Sequence, residues 1–96
     1  MLKDKVDLTD PDAVRFVLVH AVTAYDRRQA AKASYNCYAL PQYLAAVEEI
    51  ADVIRGGMPM REAICRKLSG RLLDACLREV GEPKATREEH NLSLYY

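Results

Sequence analysis

Residues 40–57 read LPQYLAAVEEIADVIRGG, and this stretch decides the fold class of the chain. Its apolar residues recur at steps of three and four, which places them on one face of a helix. They are Leu40, Tyr43, Leu44, Val47, Ile50, Ala51 and Ile54. Glycine adopts left-handed backbone conformations without a Cβ clash, so Gly56-Gly57 is expected to end the helix. We therefore predict an amphipathic helix at the centre of the core, with Leu44 and Val47 largely buried.

A second helix is predicted upstream, from about Pro11 to about Ser34. Asp10 is a suitable N-cap residue and Pro11 fits the first helical position. The apolar residues that follow form one stripe: Val14, Val17, Leu18, Ala21, Val22 and Tyr25. The polar residues expected to lie away from this stripe are Arg15, Asp26, Arg27 and Arg28.

The segment from Pro59 to Val80 is predicted to be either two helices in close succession or one helix kinked at Gly70. Pro59 suits a first helical position, and Gly81 and Pro83 are typical of a helix end. The pair Ser69-Gly70 interrupts the segment, and Ser69 is suited to cap a new helix. However, an apolar step of four residues continues across it, through Ile64, Leu68, Leu72 and Cys76.

The chain is predicted to be a single all-α domain, a small bundle of three to four helices over residues 1–96. Residues 1–9 are expected to form an N-terminal arm, and residues 82–96 a tail that is either a short helix or disordered. Thr86 and Glu89 have the spacing of a capping box, which favours the short helix. No segment shows the β-branched alternation of a strand.

Composition argues against several classes of protein. The 96 residues contain 14 Lys and Arg against 14 Asp and Glu, whereas nucleic-acid binders are usually basic because phosphate contacts supply most of their affinity. The first residues lack the apolar region of a signal peptide, and no apolar run is long enough to span a membrane. We therefore expect a cytoplasmic protein. There the three cysteines, which form no CxxC pair, are expected to be reduced and buried.

Residues 34–44, SYNCYALPQYL, form the most distinctive stretch. Pro41 and Asn36 are typical of a corner between two antiparallel helices, and tyrosine suits a corner because its ring can bury while its hydroxyl reaches water. The alternative is a tyrosine-rich contact patch, since tyrosine is enriched at interface hot spots. The candidate partner contacts are Tyr35, Tyr38, Tyr43, Tyr95 and Tyr96.

Catalysis finds little support in the sequence. A nucleophilic Cys37 would need a base or a positive neighbour to lower its pKa, and neither His20 nor His90 is close to it in sequence. Metal-ligand spacing is absent, and Gly56-Gly57 lacks the further glycine and lysine of a phosphate-binding loop. We expect no catalytic residues, no metal, no cofactor and no small-molecule substrate.

Two basic patches supply the alternative function of a nucleic-acid-binding regulator. The first contains Arg61, Arg66, Lys67 and Arg71, and the second contains Arg27, Arg28 and Lys32. A DNA-binding helix-turn-helix is disfavoured, because Arg66, Ser69 and Arg71 occupy positions where that motif requires small or apolar residues. A solvated face, or ion pairing with Glu48, Glu49 and Asp52, is the simpler explanation of these charges.

The leading prediction is therefore a protein that acts through contacts with other proteins. Cofactor-free helical proteins of this size are common among adaptors, inhibitors and accessory proteins, including those that phages and mobile elements encode. That association comes from fold class alone. Self-association as a two-fold dimer is a further hypothesis, with the Tyr35/Tyr38 corner and the tail as contact elements.

Overall fold

A computed structural model describes residues 8–32 and 39–92, and these residues form an all-α fold without strands, as predicted. The helices within these ranges are α1 (Pro11–Lys32), α2 (Ala39–Arg55), α3 (Met60–Lys67), α4 (Gly70–Glu79) and α5 (Arg87–Leu92). None of them combines the length and apolar character needed to cross a bilayer.

α1 and α2 form an antiparallel pair. The predicted cap of α1 is present, since the Asp12 backbone N–H donates to the Asp10 carboxylate at 3.0 Å. Arg15 pairs with Glu48, which joins the early part of α1 to the late part of α2. At the opposite end, the rings of Tyr25 and Tyr43 meet edge to face. The predicted end of α1 at Ser34 and residues 34–38 of the predicted corner lie outside the described residues, whereas residues 39–44 of that corner belong to α2.

The core is built from the predicted stripes. The buried apolar residues are Val14, Val17, Leu18, Ala21 and Val22 of α1, Val47, Ile50 and Ala51 of α2, Ala63, Ile64, Cys65 and Leu68 from the α3 segment, and Leu72, Leu73, Cys76, Leu77 and Val80 from the α4 segment.

Two burial predictions were wrong. Asp26 is only 3% exposed, although it was expected to lie away from the stripe. Asp26 follows Val22 by four residues, so both side chains lie on the inward-facing side of α1. Asp26 also has an interaction partner. Leu44 was expected to be largely buried like Val47, but it packs at the edge of the core and remains partly exposed.

Residues 59–80 form two helices rather than one kinked helix. Leu68 has extended backbone angles (φ −123°, ψ 157°), as does Ser69, and Gly70 has a φ of 63° in the left-handed region that favours glycine. Ser69 occupies the N-cap position of α4 without making the predicted side-chain cap hydrogen bond. Pro59 likewise lies at the N-cap of α3 rather than at its first helical position.

The tail begins as the predicted short helix. In the capping box of α5, the Glu89 N–H donates to Thr86 Oγ1 at 3.1 Å, and the Thr86 N–H donates to Glu89 Oε1 at 2.9 Å. Leu92 packs against the core as a partly buried residue. Residues 93–96 lie outside the described part of the chain.

Candidate functional site

Of the predicted tyrosine contacts, only Tyr43 can be placed. Its ring centroid lies 6.2 Å from that of Tyr25 with planes at 70°, and the side chain is half-buried. This edge-to-face contact holds α1 against α2. Tyr35, Tyr38, Tyr95 and Tyr96 lie outside the described residues, so the tyrosine patch stays a prediction.

Arg61, the first residue of the main basic patch, uses all of its guanidinium hydrogen-bond donors within the protein. Its guanidinium donates to both carboxylate oxygens of Glu89, at 2.8 and 2.7 Å, and to Glu82 at 3.2 Å. It also donates to the carbonyls of Pro83 and Lys84, at 3.0 and 3.1 Å. These five hydrogen bonds use every N–H of the guanidinium. We call this arrangement the Arg61 clasp, and it fastens the segment 82–89 to α3.

Of the other residues of that patch, Arg66 lines the same depression as Arg61, whereas Lys67 and Arg71 do not. Arg66 pairs with Glu62 one turn earlier on the same helix. Lys67 pairs with Glu49 of α2 at 3.7 Å, which confirms one of the predicted ion pairs. Arg71 lies beyond the α3–α4 break, and within the described residues it forms no ion pair.

Arg71 instead lines a furrow between α1 and α4. One half of the furrow, the basic half, has a volume of about 390 Å³. It is formed by the face of α1 that carries Arg28 and Lys32 and by the face of α4 that carries Arg71 and Arg78, with Lys84 from the segment that follows. We call the whole depression the α1–α4 furrow.

Within the described residues, none of the five basic side chains of the furrow forms an ion pair with a carboxylate. Twelve Lys and Arg residues lie in the described ranges, and five of them form ion pairs: Arg15, Arg55, Arg61, Arg66 and Lys67. Of the seven that form none within these ranges, five line the furrow, and the other two are Arg27 and Arg87. Within the described ranges, most of the unpaired positive charge thus lines one furrow, in a protein that has no net charge.

The carboxylates that border the basic half already have other partners. Asp74 accepts a hydrogen bond from the Ala85 N–H at 3.2 Å and lies 3.5 Å from His90 Nε2. Glu82 is held by Arg61 at 3.2 Å. Within the described residues, neither carboxylate forms an ion pair with any of the five cations.

The furrow continues toward the middle of α1 as a smaller, mainly apolar half of about 300 Å³. Ala21, Ala24 and Ala75 form its floor, with His20 and Glu79 at its edge. Arg28 and Ala75 line both halves, so the two are continuous. Beside the apolar half, the ring of Phe16 lies 4.6 Å from that of His20 and is 47% exposed.

Sequence reasoning found three of the five furrow cations and missed two. Arg28, Lys32 and Arg71 belong to the predicted patches, whereas Arg78 and Lys84 were not singled out. The spacing of Arg71, Asp74, Ala75 and Arg78 at steps of three and four was the available signal, since it places them on one helix face. The sequence carried no signal that this face would meet α1.

The described cysteines have the properties of buried, protonated thiols. Cys65 and Cys76 are free and fully buried, so the prediction that they are buried is confirmed. Burial raises the pKa of Cys65 to about 11 and that of Cys76 to about 12, from an ordinary 9.0. A thiol with such a pKa is a poor nucleophile at neutral pH. Cys37, the candidate nucleophile, lies outside the described residues.

Among residues 8–32 and 39–92, no group of three or more His, Cys, Asp or Glu side chains is arranged to hold a metal ion. No protein-family model matches the chain, and neither a characterised protein nor a solved structure is significantly similar to it.

Proposed function

We propose that this protein is a non-catalytic binding module, an adaptor, inhibitor or accessory protein, and that the α1–α4 furrow is its contact surface for a partner protein. One observation carries the proposal: five cations without ion-pair partners line a single furrow, while most other described basic side chains are paired. We keep the cytoplasm as the expected compartment.

The grouping of these charges favours an anionic ligand on physical grounds. Like charges on neighbouring helix positions repel, and each such pair costs a few tenths of a kcal/mol. A concave surface lined by one sign of charge also raises the local concentration of oppositely charged groups. A ligand that brings carboxylates into the basic half would relieve the repulsion between cations such as Arg28 and Lys32, which lie four residues apart on α1.

Several features favour a protein ligand over a nucleic acid. The net charge is zero, and Glu79 borders the apolar half, where a phosphate backbone would be repelled. The apolar half offers burial of carbon surface, which a phosphate backbone does not use and a protein side chain does. Nucleic-acid binding is the second candidate, because Arg28, Lys32 and Arg71 of the predicted patches do meet in the basic half.

Site-specific photo-crosslinking in the protein's own cells tests the proposal. A photoreactive residue replaces Ala24, which is exposed in the furrow, and a control replaces Ala45, which is exposed on α2 outside it. We expect a discrete protein adduct from position 24 and none from position 45. The adduct should disappear with Arg28→Glu and persist with Arg27→Glu, since Arg27 is the adjacent exposed cation that does not line the furrow.

Two outcomes would contradict the proposal. Adducts from position 45 in the absence of adducts from position 24 would place the contact surface elsewhere. Adducts from position 24 that are removed by nuclease would identify nucleic acid as the ligand.

A further inference from the structure

We infer that the element that occupies the α1–α4 furrow is an amphipathic helix of the partner protein, with acidic residues at one end and an apolar stripe along the rest. This inference rests on the proposed function and adds the chemistry of the partner.

The length of the furrow suits a helix. His20, Ala24, Arg28 and Lys32 line the furrow at four-residue steps along α1, and each is exposed. At a rise of 1.5 Å per residue, this row extends over about 18 Å, the length of a helix of a little over three turns. Such a row is one of the ridges that packs into the groove of a neighbouring helix.

The floor of the apolar half suits close approach by a helix. Ala21, Ala24 and Ala75 have no side-chain atoms beyond Cβ, so the axis of a third helix can come near those of α1 and α4. The exposed Phe16 ring stands at the end of this floor and offers an apolar contact of the kind that anchors a helix in a groove. The described lining comes from two helix faces and no sheet edge, so an extended peptide would find no strand to pair with.

The distribution of charge gives the bound helix a direction. Lys32 and Arg71 lie in the basic half, whereas Glu79 and His20 lie at the edge of the apolar half. Acidic residues of the ligand are therefore attracted to the basic half and repelled by Glu79 at the apolar half. A uniformly acidic helix would meet this repulsion, and an uncharged one would leave the cations uncompensated. The complementary ligand is acidic at one end only.

Designed peptides test this chemistry by fluorescence anisotropy. The probe is a labelled 16-residue alanine-based helix with leucines at i, i+3, i+4 and i+7 and four glutamates in one terminal half. Two versions carry the glutamates at opposite ends and cover both directions of the peptide chain. A third peptide has the same composition in scrambled order, without the stripe, and a 20-nucleotide single-stranded DNA serves as a polyanion.

We expect one of the two striped peptides to bind at least tenfold more tightly than the scrambled peptide and the DNA. Arg28→Glu should weaken this binding at least tenfold and Arg27→Glu less than twofold. Ala24→Glu should weaken it at least tenfold, because a carboxylate then occupies the apolar floor, and Ala45→Glu less than twofold. Circular dichroism of each variant checks that the fold is retained.

The inference is overturned if neither striped peptide binds, if the scrambled peptide binds equally well, or if Arg27→Glu and Arg28→Glu have equal effects. Tighter binding of the DNA would identify the furrow as a nucleic-acid surface and would overturn it too. A protein adduct from position 24 combined with failure of the peptides would reject the helical ligand and leave the proposed function standing.

Discussion

The Arg61 clasp makes a sharp prediction about stability. Arg61→Leu keeps an apolar stem and removes all five hydrogen bonds that fasten residues 82–89 to α3. Exposed ion pairs contribute about 0–1 kcal/mol, whereas breaking a buried pair costs about 3–5 kcal/mol. The side chains of Arg61 and Glu89 are each 25% exposed, which lies between these cases. We therefore expect the free energy of unfolding to fall by about 2–3 kcal/mol.

The matched control is Arg66→Leu, on the same helix. The ion pair of Arg66 with Glu62 joins residues one turn apart and is more exposed, at 34% and 43%. Its loss should lower the free energy of unfolding by less than about 1 kcal/mol. Urea denaturation followed by circular dichroism measures both variants.

Thiol labelling shows where the clasp acts. Cys65 is buried on α3, the helix that carries Arg61, and the charges of Glu89 and Arg61 both act on its thiol, whereas Cys76 is buried on α4. In a Cys37→Ser background, loss of the clasp should ease local opening of α5 and expose Cys65 first. A change of 2–3 kcal/mol confined to that opening accelerates labelling of Cys65 about 30- to 150-fold, while Cys76 stays slow.

The reasoning would be refuted by either of two results. A stability of Arg61→Leu within 0.5 kcal/mol of the unmodified protein would show that the five hydrogen bonds contribute no more than a surface pair. Equal acceleration of Cys65 and Cys76 would show that the variant loosens the whole bundle rather than α5.

Three further predictions concern the core, acid stability and self-association. Ile50→Ala should lower the free energy of unfolding by about 3–4 kcal/mol and Leu44→Ala by only about 1–2 kcal/mol, because Ile50 is fully buried and Leu44 is not. Equal losses for the two variants in urea denaturation would contradict this difference in burial. Hydrogen bonds from Arg61 and from the Thr86 N–H lower the pKa of Glu89 to about 2 from an ordinary 4.5. The stability that Glu89 contributes is therefore complete above pH 4.5 and is lost as the pH falls toward 2. The difference in free energy of unfolding between the unmodified protein and Glu89→Gln should therefore be constant from pH 7 to 5 and should shrink below pH 5. Sedimentation of the full chain and of a version that ends at Leu92 tests the dimer: if Tyr95 and Tyr96 carry the contact, only the full chain dimerises at tens of micromolar, and monomers in both cases would reject it.

The sequence by itself determined the helices and most of the core. The α-helix repeats every 3.6 residues, so the positions of apolar residues within one segment reveal which face is buried without reference to the rest of the chain. The cap at Asp10 and the capping box of Thr86 and Glu89 are equally local, because each joins residues two or three positions apart. Leu44 and Asp26 were misjudged because the width of a buried face depends on which neighbouring helix covers it.

Only the tertiary structure decided which charges are paired. Arg61 and Arg71 have the same side chain and lie ten residues apart, yet one is enclosed by Glu82 and Glu89 and the other faces an open furrow. Arg28 and Arg71 are 43 residues apart in sequence and line the same depression. The Coulomb interaction depends on distance through space and on exposure to water. For residues on different helices, neither the distance nor the exposure is fixed until those helices have packed.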